Sequence, residues 1–302
     1  MQQISFNRFT WVDIKKPTPD DIAKIKKEFH LHPLIVEEFS TPTLRPKAEE
    51  YNGSLFMTIH VPLFNIDLKK TYPAELDIVI TENALITSSD EDIFQLTSFF
   101  KKFKSSKKKR EQHLDSSPAA LLRYLIEVLL ESCFPKLDHI SKKLDYIEEE
   151  IFSGHEKEMV TELSIVKRDI LNFRRTIKPQ RSVLESLVQK NYQLVGNEVK
   201  PYFQDLIGTN IRVWNALESA KETIESLEET NNSLLSNKLN LTMKVLTIFN
   251  AIFLPITVYS NLMSMNTPIP FEHNIIGFWL HTALMVLISV ITIVIFKMKR
   301  WL

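Results

Sequence analysis

Apolar residues are concentrated in two uncharged runs near the end of the chain. The first run extends from Val245 to Met263 and the second from Ile275 to Phe296, with 19 and 22 residues that include no Asp, Glu, Lys or Arg. As a helix, each run can cross a hydrocarbon core of roughly 30 Å, because a helix rises about 1.5 Å per residue. The pattern therefore predicts two transmembrane helices joined by an external loop over 264–274, with a basic tail completing the last segment, 275–302.

A helical pattern precedes the first run. From Pro201 onward, apolar positions recur every three or four residues, and Gly208 is the one further helix breaker before Pro255. Such a stripe buries one face of a helix against its neighbours. A helix over 201–263 would be about 90 Å long, which is too long for a compact domain. We therefore predict a long stalk helix that continues into the first transmembrane span.

Strand and helix patterns alternate in the first part of the chain. Residues 54–64 are rich in β-forming side chains, and residues 76–88 indicate a hairpin with Glu82-Asn83 at its turn. Residues 18–29 begin with a capping threonine and an acidic first turn, which indicates a helix. Residues 1–115 are therefore predicted to form a mixed α/β domain.

Residues 116–200 follow helical periodicity alone. One amphipathic segment extends over 118–152, with Pro135 as its candidate break, and a second extends over 159–189. Two such segments joined by a short interruption predict an antiparallel helical pair.

Basic residues flank the two apolar runs on one side only. Lys238 and Lys244 precede the first run, and Lys297, Lys299 and Arg300 follow the second, whereas the connecting loop has no lysine or arginine. By the positive-inside rule, both termini are cytoplasmic and the loop is external. The chain is therefore predicted to be a multi-pass protein of the cell's inner membrane with a large cytoplasmic domain.

Composition excludes several classes of function. The chain has 302 residues, no net formal charge, one cysteine and five scattered glycines. One cysteine excludes an intramolecular disulfide framework and a cysteine-based zinc site, and the scattered glycines cannot build a phosphate-binding loop. The eight histidines form no H-E-x-x-H motif, and no nucleophile motif is visible, so we predict that the protein is not an enzyme. The basic run from Lys101 to Arg110 is interpreted as a solvated surface segment, and no nucleic-acid partner is predicted.

A stripe of mostly polar residues extends along one side of the first transmembrane span. Its members recur at spacings of three and four: Asn240, Met243, Thr247, Asn250, Leu254, Thr257, Asn261 and Ser264. A polar stripe within lipid is costly unless it faces protein or water. Two interpretations stay open, because the small polar residues could attach the helix to its neighbours or line an aqueous pore. One helix cannot enclose a pore, so the second interpretation requires several copies of the chain around an axis.

The segment from Asn240 to Asn266, NLTMKVLTIFNAIFLPITVYSNLMSMN, resembles the pore helix of the CorA-type magnesium channel family. Members of that family carry N-x-x-M-K-V-L-T-x-x-x-x-I-F-x-P-x-T ahead of Gly-Met-Asn. The segments 167–187 and 201–206 and the C-terminal KMKRWL are also similar to the family. The chain is therefore identified as a member by resemblance over most of its length.

The resemblance implies a fold and an assembly. The fold is an α/β cytoplasmic domain followed by long helices and two C-terminal transmembrane helices. The assembly is a funnel-shaped homopentamer whose first spans surround a pore. The resemblance and the helical spacing together predict that the pore is lined by Asn240, Met243, Leu246, Asn250, Leu254, Thr257 and Asn261. Thr247 is an alternative to Leu246. The apolar members Met243, Leu246 and Leu254 are predicted to form the constriction.

The resemblance also implies a selectivity motif at the pore mouth. Ser264, Met265 and Asn266 stand where the family has Gly-Met-Asn. The oxygen of Asn266 would receive hydrated Mg²⁺, an ion that sheds its water reluctantly. Glu272, the one acid of the loop, would add negative potential. Serine resists tight turns that glycine permits, so the ion preference is left open by this departure.

A regulatory cation site is implied in the cytoplasm. In the family, Mg²⁺ bound between subunits holds the pore shut. Asp205 falls at the family's cation-binding position, and Asp67, in a loop of the α/β domain, is the candidate partner. In the second span, His281 is interpreted as pairing with a neighbouring helix.

The leading hypothesis is a passive divalent-cation channel, with Mg²⁺ as substrate and regulator. A divalent ion drawn inward by about −100 mV gains roughly 4.6 kcal/mol, so transport needs no nucleotide. The alternatives are a transporter of the same family for Zn²⁺, Co²⁺ or Ni²⁺, and a membrane-anchored homologue that does not conduct.

Overall fold

The computed structural model describes residues 1–6, 8–105, 117–190, 192–265 and 275–299. The chain forms two compact units, Met1–Glu229 and Thr230–Leu302. The first unit contains a β-sheet with its surrounding helices, and the second contains the apolar helices.

A six-stranded sheet forms the centre of the first unit. Its strands are β1 (Gln2–Ser5), β2 (Thr10–Lys15), β3 (Lys47–Tyr51), β4 (Ser54–Asn65), β5 (Lys70–Ile80) and β6 (Ala84–Ser89). They lie in the order β1-β2-β6-β5-β4-β3, and neighbours are antiparallel except for the parallel pair β2–β6.

Two sequence predictions for the sheet are confirmed. The predicted strand over 54–64 is β4, and the predicted hairpin is formed by β5 and β6. Ile80 lies opposite Leu85, and the amide of Thr81 donates to the carbonyl of Ala84 at 2.9 Å. Glu82 and Asn83 therefore occupy the turn, as predicted.

Within residues 1–105, the described part of the chain contains three helices: α1 (Pro19–Phe29), α2 (Pro33–Glu38) and α3 (Phe94–Ser105). Helix α1 confirms the helix predicted over 18–29. The Thr18 hydroxyl accepts from the amide of Asp21, and the Asp21 carboxylate accepts from the amide of Thr18, so each residue satisfies a donor that the first turn would leave free.

Four further helices follow: α4 (Pro118–Glu131), α5 (Cys133–Phe152), α6 (Glu156–Ile177) and α7 (Gln180–Gln189). The first predicted segment is interrupted at Ser132 rather than at Pro135. Pro135 lies in the first turn of α5, where a missing backbone donor does no harm. The prediction of one helix over 159–189 is wrong. The chain divides into α6 and α7 at Pro179, where the missing amide donor and the ring of proline favour an interruption of the helix.

Both faces of the sheet are covered by helices. On one face Trp11, Leu55 and Leu76 pack in a core that includes residues of α3, α4 and α7. On the other face Val12 and Phe56 pack with residues of α1 and α2. Alternate residues of one strand thus enter different cores, as the two-residue period of a strand requires.

The two longest apolar helices are α8 (Lys200–Met263) and α9 (Ile275–Met298). The single long helix predicted over 201–263 is confirmed, and Pro255 lies inside it. Within the first unit, α8 is tied to α6 by ion pairs between Lys167 and Glu228 and between Arg174 and Glu218, both at 2.5 Å. Among the described residues, α8 and α9 are the helices long and apolar enough to cross a membrane.

Candidate ion pathway and metal sites

One face of α8 in the second unit is covered within the chain. Ile248 is buried, and Ile252, Pro255 and Tyr259 are partly buried, at spacings of three and four residues. The Tyr259 hydroxyl lies 2.6 Å from Nδ1 of His281 on α9. This row therefore faces the second span, and the expectation that His281 pairs with a neighbouring helix is confirmed.

The predicted stripe lies on the opposite face of α8. At about 100° of rotation per residue, its centre is roughly half a turn from the row of Ile248 and Tyr259. The described chain leaves every member exposed: Asn240, Met243, Leu246, Thr247, Asn250, Leu254, Thr257, Asn261 and Ser264. The stripe predicted from the sequence is thus a face of α8 that the described residues of a single chain leave exposed.

The hydroxyls of this stripe act as donors within their own helix. Thr247 donates to the carbonyl of Met243 at 2.7 Å, Thr257 to Phe253 at 2.9 Å, and Ser264 to Ser260 at 2.9 Å. Because each proton is used inside the helix, the oxygen lone pairs are left to accept from outside. Oxygen acceptors suit water molecules around a cation, and this property could not be read from residue spacing.

Ser264 continues the helical hydrogen bonding beyond the last residue of α8. Its amide lies within hydrogen-bond distance of the carbonyls of Ser260 and Asn261, at 3.0 and 3.2 Å. Among the described non-glycine residues, a positive φ occurs at Lys16, His30, Asn52 and Lys69. Ser264 is not one of them, so its backbone makes no demand that only glycine can meet.

Only some of the residues predicted for the selectivity motif and the regulatory site lie in the described part of the chain. Met265 is exposed, while Asn266 and Glu272 lie outside the described residues. Asp205, near the start of α8, and Asp67, in the turn between β4 and β5, are both exposed. In the described ranges, no three His, Cys, Asp or Glu side chains gather into a group that could hold a metal ion. One described chain therefore supplies at most part of the predicted regulatory site.

Sequence analysis missed a buried carboxylate in the sheet. Asp77 on β5 is 8% exposed, and the Thr58 hydroxyl donates to it at 2.7 Å. Burial, with a smaller contribution from nearby Glu75, raises the pKa of Asp77 to about 7 against the lowering effect of the Thr58 hydrogen bond. Its one visible signal is its place inside the apolar strand LDIVI, where a carboxylate is unexpected.

Comparison with known proteins identifies the family. The profile of the CorA-like Mg²⁺ transporter protein family matches residues 6–300. The chain belongs to this family. The family resemblance of the pore-helix segment is thereby confirmed, and with it the interpretation of α8 and α9 as helices of a membrane protein.

Two curated relatives are similar to this chain over most of its length, and a solved structure has the same fold. The cobalt/magnesium transport protein CorA of Thermotoga maritima is 29% identical over 299 residues, which cover 97% of this chain and 83% of that protein. The protein of the same name from Methanocaldococcus jannaschii is 25% identical over 305 residues, covering 100% of this chain and 95% of that one. The complete structure of the CorA magnesium transporter from Methanocaldococcus jannaschii has a TM-score of 0.86 at 24% identity, covering 100% of this chain and 95% of that one. The predicted fold class, an α/β domain followed by long helices and two C-terminal apolar helices, is confirmed.

Proposed function

We propose that this protein is a passive divalent-cation channel that carries Mg²⁺ inward across the cell's inner membrane. The observation that carries the proposal is the division of α8 into two faces. One face contacts α9, and the opposite face presents an exposed row of amides and hydroxyls within an apolar helix. Such a face is stable in a membrane when it meets protein or water, and a water-filled pathway meets this need.

The assembly that we propose is a funnel-shaped homopentamer with α8 around the axis and α9 outside. Both termini are cytoplasmic in this arrangement, because the basic residues flank the two spans on that side. The side chains of Met243, Leu246 and Leu254 are 52%, 52% and 64% exposed in the single chain. Rings of these side chains would close a narrow pathway by excluding water, as apolar constrictions do in other channels.

The ion enters at the motif Ser264-Met265-Asn266. The amide oxygen of Asn266 accepts hydrogen bonds from the water shell of the ion without the tight charge pairing that would trap it. Glu272 raises the local cation concentration through its negative charge. The helical hydrogen bonding of Ser264 supports a geometry in which serine replaces the family's glycine without strain.

Regulation by internal Mg²⁺ is proposed to use Asp205 and Asp67 of neighbouring copies. The exposure of both carboxylates supports this role, because a site between subunits needs side chains that one chain leaves free. If Asp205→Ala leaves the inhibition of uptake by internal Mg²⁺ unchanged, the regulatory site lies elsewhere.

One observation favours a shifted ion preference as the second candidate function. Ser264 places a hydroxyl where the family has the glycine of Gly-Met-Asn, and Asn261 adds an amide three residues earlier. If these side chains coordinate the ion directly, they would disfavour Mg²⁺, because Mg²⁺ sheds its water reluctantly, and Zn²⁺, Co²⁺ or Ni²⁺ would then be the preferred ions.

Uptake into proteoliposomes tests both candidates. The purified full chain is reconstituted with an inside-negative potential, and internal dyes report entry of Mg²⁺, Co²⁺, Ni²⁺ and Zn²⁺ in separate assays. We expect Mg²⁺ entry without nucleotide, and its loss in Asn266→Ala. Preference for a transition metal that returns to Mg²⁺ in Ser264→Gly would support the second candidate. Absence of entry for all four ions, with intact protein in the bilayer, would contradict both and leave a homologue that does not conduct.

A further inference from the structure

A polar contact joins the two membrane helices on the side away from the proposed pathway. The Tyr259 hydroxyl lies 2.6 Å from Nδ1 of His281, and the ring centroids are 6.1 Å apart. Tyr259 lies two residues after Thr257 and two before Asn261. Each of these stripe residues is therefore about 200° around the helix from Tyr259.

The tautomer of His281 decides which group donates in this contact, and the acidities of the two groups favour one direction. A phenol is a stronger acid than a neutral imidazole, and an imidazole nitrogen is the better acceptor, so the Tyr259 O–H donates to Nδ1. The proton of the neutral imidazole then resides on Nε2. The Nε2 atom is buried, and it has no hydrogen-bond partner among the described residues. His281 is thus held through Nδ1, and loss of the Tyr259 bond would leave its ring without a polar partner in the described chain.

Three other hydroxyls on the two helices bond within their own helix. Thr257 donates to Phe253, Thr282 to Phe278, and Ser289 to Met285, at 2.9, 2.9 and 3.0 Å. These hydroxyls do not bridge the helices. The Tyr259–His281 bond does, from the partly buried row of α8 to α9.

Apolar contacts alone set the rotation of a membrane helix weakly. The partly buried neighbours of Tyr259 include Ile252, Pro255 and Ile256, whose side chains lipid tails solvate about as well as a second helix does. A hydrogen bond between side chains has a preferred direction, and hydrocarbon offers it no competing partner. The bond therefore constrains rotation where apolar packing permits it.

We infer that Tyr259 and His281 form a positioning pair, which fixes the rotation of α8 about its axis and keeps Thr257 and Asn261 directed away from α9. The inference rests on the proposed function where it concerns the ion pathway, because the aligned face is the one that we assign to cations. Neither residue contacts the ion in this arrangement.

Substitutions that remove the bond but keep the ring test the pair by uptake. Tyr259→Phe and His281→Phe are each expected to lower Mg²⁺ uptake about threefold or more, on the scale of hydrogen bonds between membrane helices. The double variant should be no worse than either single variant, because both remove the same interaction. His281→Asn should retain most uptake, since its Oδ1 takes the place of Nδ1. Thr282→Val, which removes a hydroxyl bonded within α9, serves as the matched control and should match the parent.

Two measurements test the Tyr259–His281 pair without relying on ion uptake. In protein labelled with ¹⁵N-histidine, the Nδ1 resonance of His281 is assigned by its absence in His281→Asn, and it should move in Tyr259→Phe. In a Cys133→Ala background, a water-soluble thiol reagent should label Thr257→Cys faster than Val258→Cys, and this ratio should fall toward one when Tyr259→Phe is added.

The outcomes are distinct. An unchanged resonance, or an unchanged labelling ratio together with parental uptake in both phenylalanine variants, overturns the positioning pair. A parent that admits no cation, yet shows the Tyr259-dependent resonance and labelling ratio, overturns the proposed function and supports the pair.

Discussion

The two units of the molecule contrast in how they are stabilised. In the first unit, Trp11, Phe56 and Leu76 are fully buried between the sheet and its helices. In the second, Leu254 and Trp279 are 64% and 65% exposed, although both belong to apolar helices. The first unit is completed by its own side chains, whereas the second presents surfaces that require lipid and, in our proposal, further copies of the chain. Side chains buried within one chain therefore stabilise the first unit. In the second unit, the faces that one chain leaves uncovered are the ones to which we assign function.

Matched leucine truncations should separate the two units most strongly. Leu76→Ala removes a fully buried side chain and should lower the free energy of unfolding by about 2–5 kcal/mol. Leu254→Ala truncates a side chain that the single chain leaves exposed, so the loss of stability should be clearly smaller than for Leu76→Ala. Loss of an apolar constriction should instead raise resting Mg²⁺ uptake. Thermal unfolding and liposome uptake of the full chain measure the two effects, and equal destabilisation by both variants would contradict the contrast.

Asp77 tests whether a buried carboxylate lowers the folding stability of the first unit. Its pKa is raised from 3.8 to about 7 by burial. Below about pH 4 the carboxyl is protonated in both states and contributes nothing. As pH rises from about 4 to 7, the unfolded chain releases this proton first, so the folded state loses stability, and the loss is complete above pH 7.

Asp77→Asn should remove this loss and still accept from the Thr58 hydroxyl. We expect a gain of up to roughly 4 kcal/mol at pH 8, falling toward zero near pH 4, because one pKa unit corresponds to about 1.4 kcal/mol. Thermal unfolding across this pH range measures the difference between variant and parent. Glu82→Gln is the control, since Glu82 is exposed in the turn between β5 and β6 of the same sheet. A difference for Asp77→Asn that does not vary with pH would contradict the assignment.

Local signals explain why parts of the first unit could be predicted. The β4 strand carries a long run of β-forming residues, and Thr18 and Asp21 form a capping box within four residues. By contrast, the short strands β1, β2 and β3 were not predicted. The parallel pairing of β2 with β6, such as Trp11 beside Leu85, joins residues more than seventy positions apart, and no local pattern encodes it.

The prolines and the candidate sites show the other limits of sequence interpretation. Pro135 and Pro179 have the same chemistry, but the first lies in a helix's first turn and the second ends one, so position decides the effect. The polar stripe could be predicted because helical spacing places its members on one face. The place of His281 inside an apolar span suggested a partner on a neighbouring helix, yet the identity of that partner, Tyr259, required the structure. A site shared between copies, as proposed for Asp205, involves neighbours that no single chain displays.

Asn250 tests whether the uncovered face of α8 meets water. It is exposed within the stripe, between the apolar positions Leu246 and Leu254. Asn250→Leu would extend the apolar constriction, and we expect uptake of Mg²⁺ to fall severalfold because a longer apolar segment excludes water more strongly. Phe249→Leu changes a neighbouring exposed residue off the stripe and should leave uptake unchanged. Parental uptake in Asn250→Leu would indicate that Asn250 faces a neighbouring helix.

The smallest expected effect concerns Glu272, which tests whether the loop that we propose to be external acts on cations through its field alone. A ring of such carboxylates would concentrate cations near the mouth without binding them, and salt would screen the ring. The screening length is about 30 Å at 0.01 M ionic strength and about 8 Å at 0.15 M. Glu272→Gln should therefore slow Mg²⁺ uptake clearly at the lower ionic strength and hardly at all at the higher one. Glu158→Gln neutralises an exposed acid of the first unit and should behave as the parent at both. An equal loss at both ionic strengths would mean that Glu272 contacts the ion or its water directly, because a contact at bonding distance lies well inside either screening length.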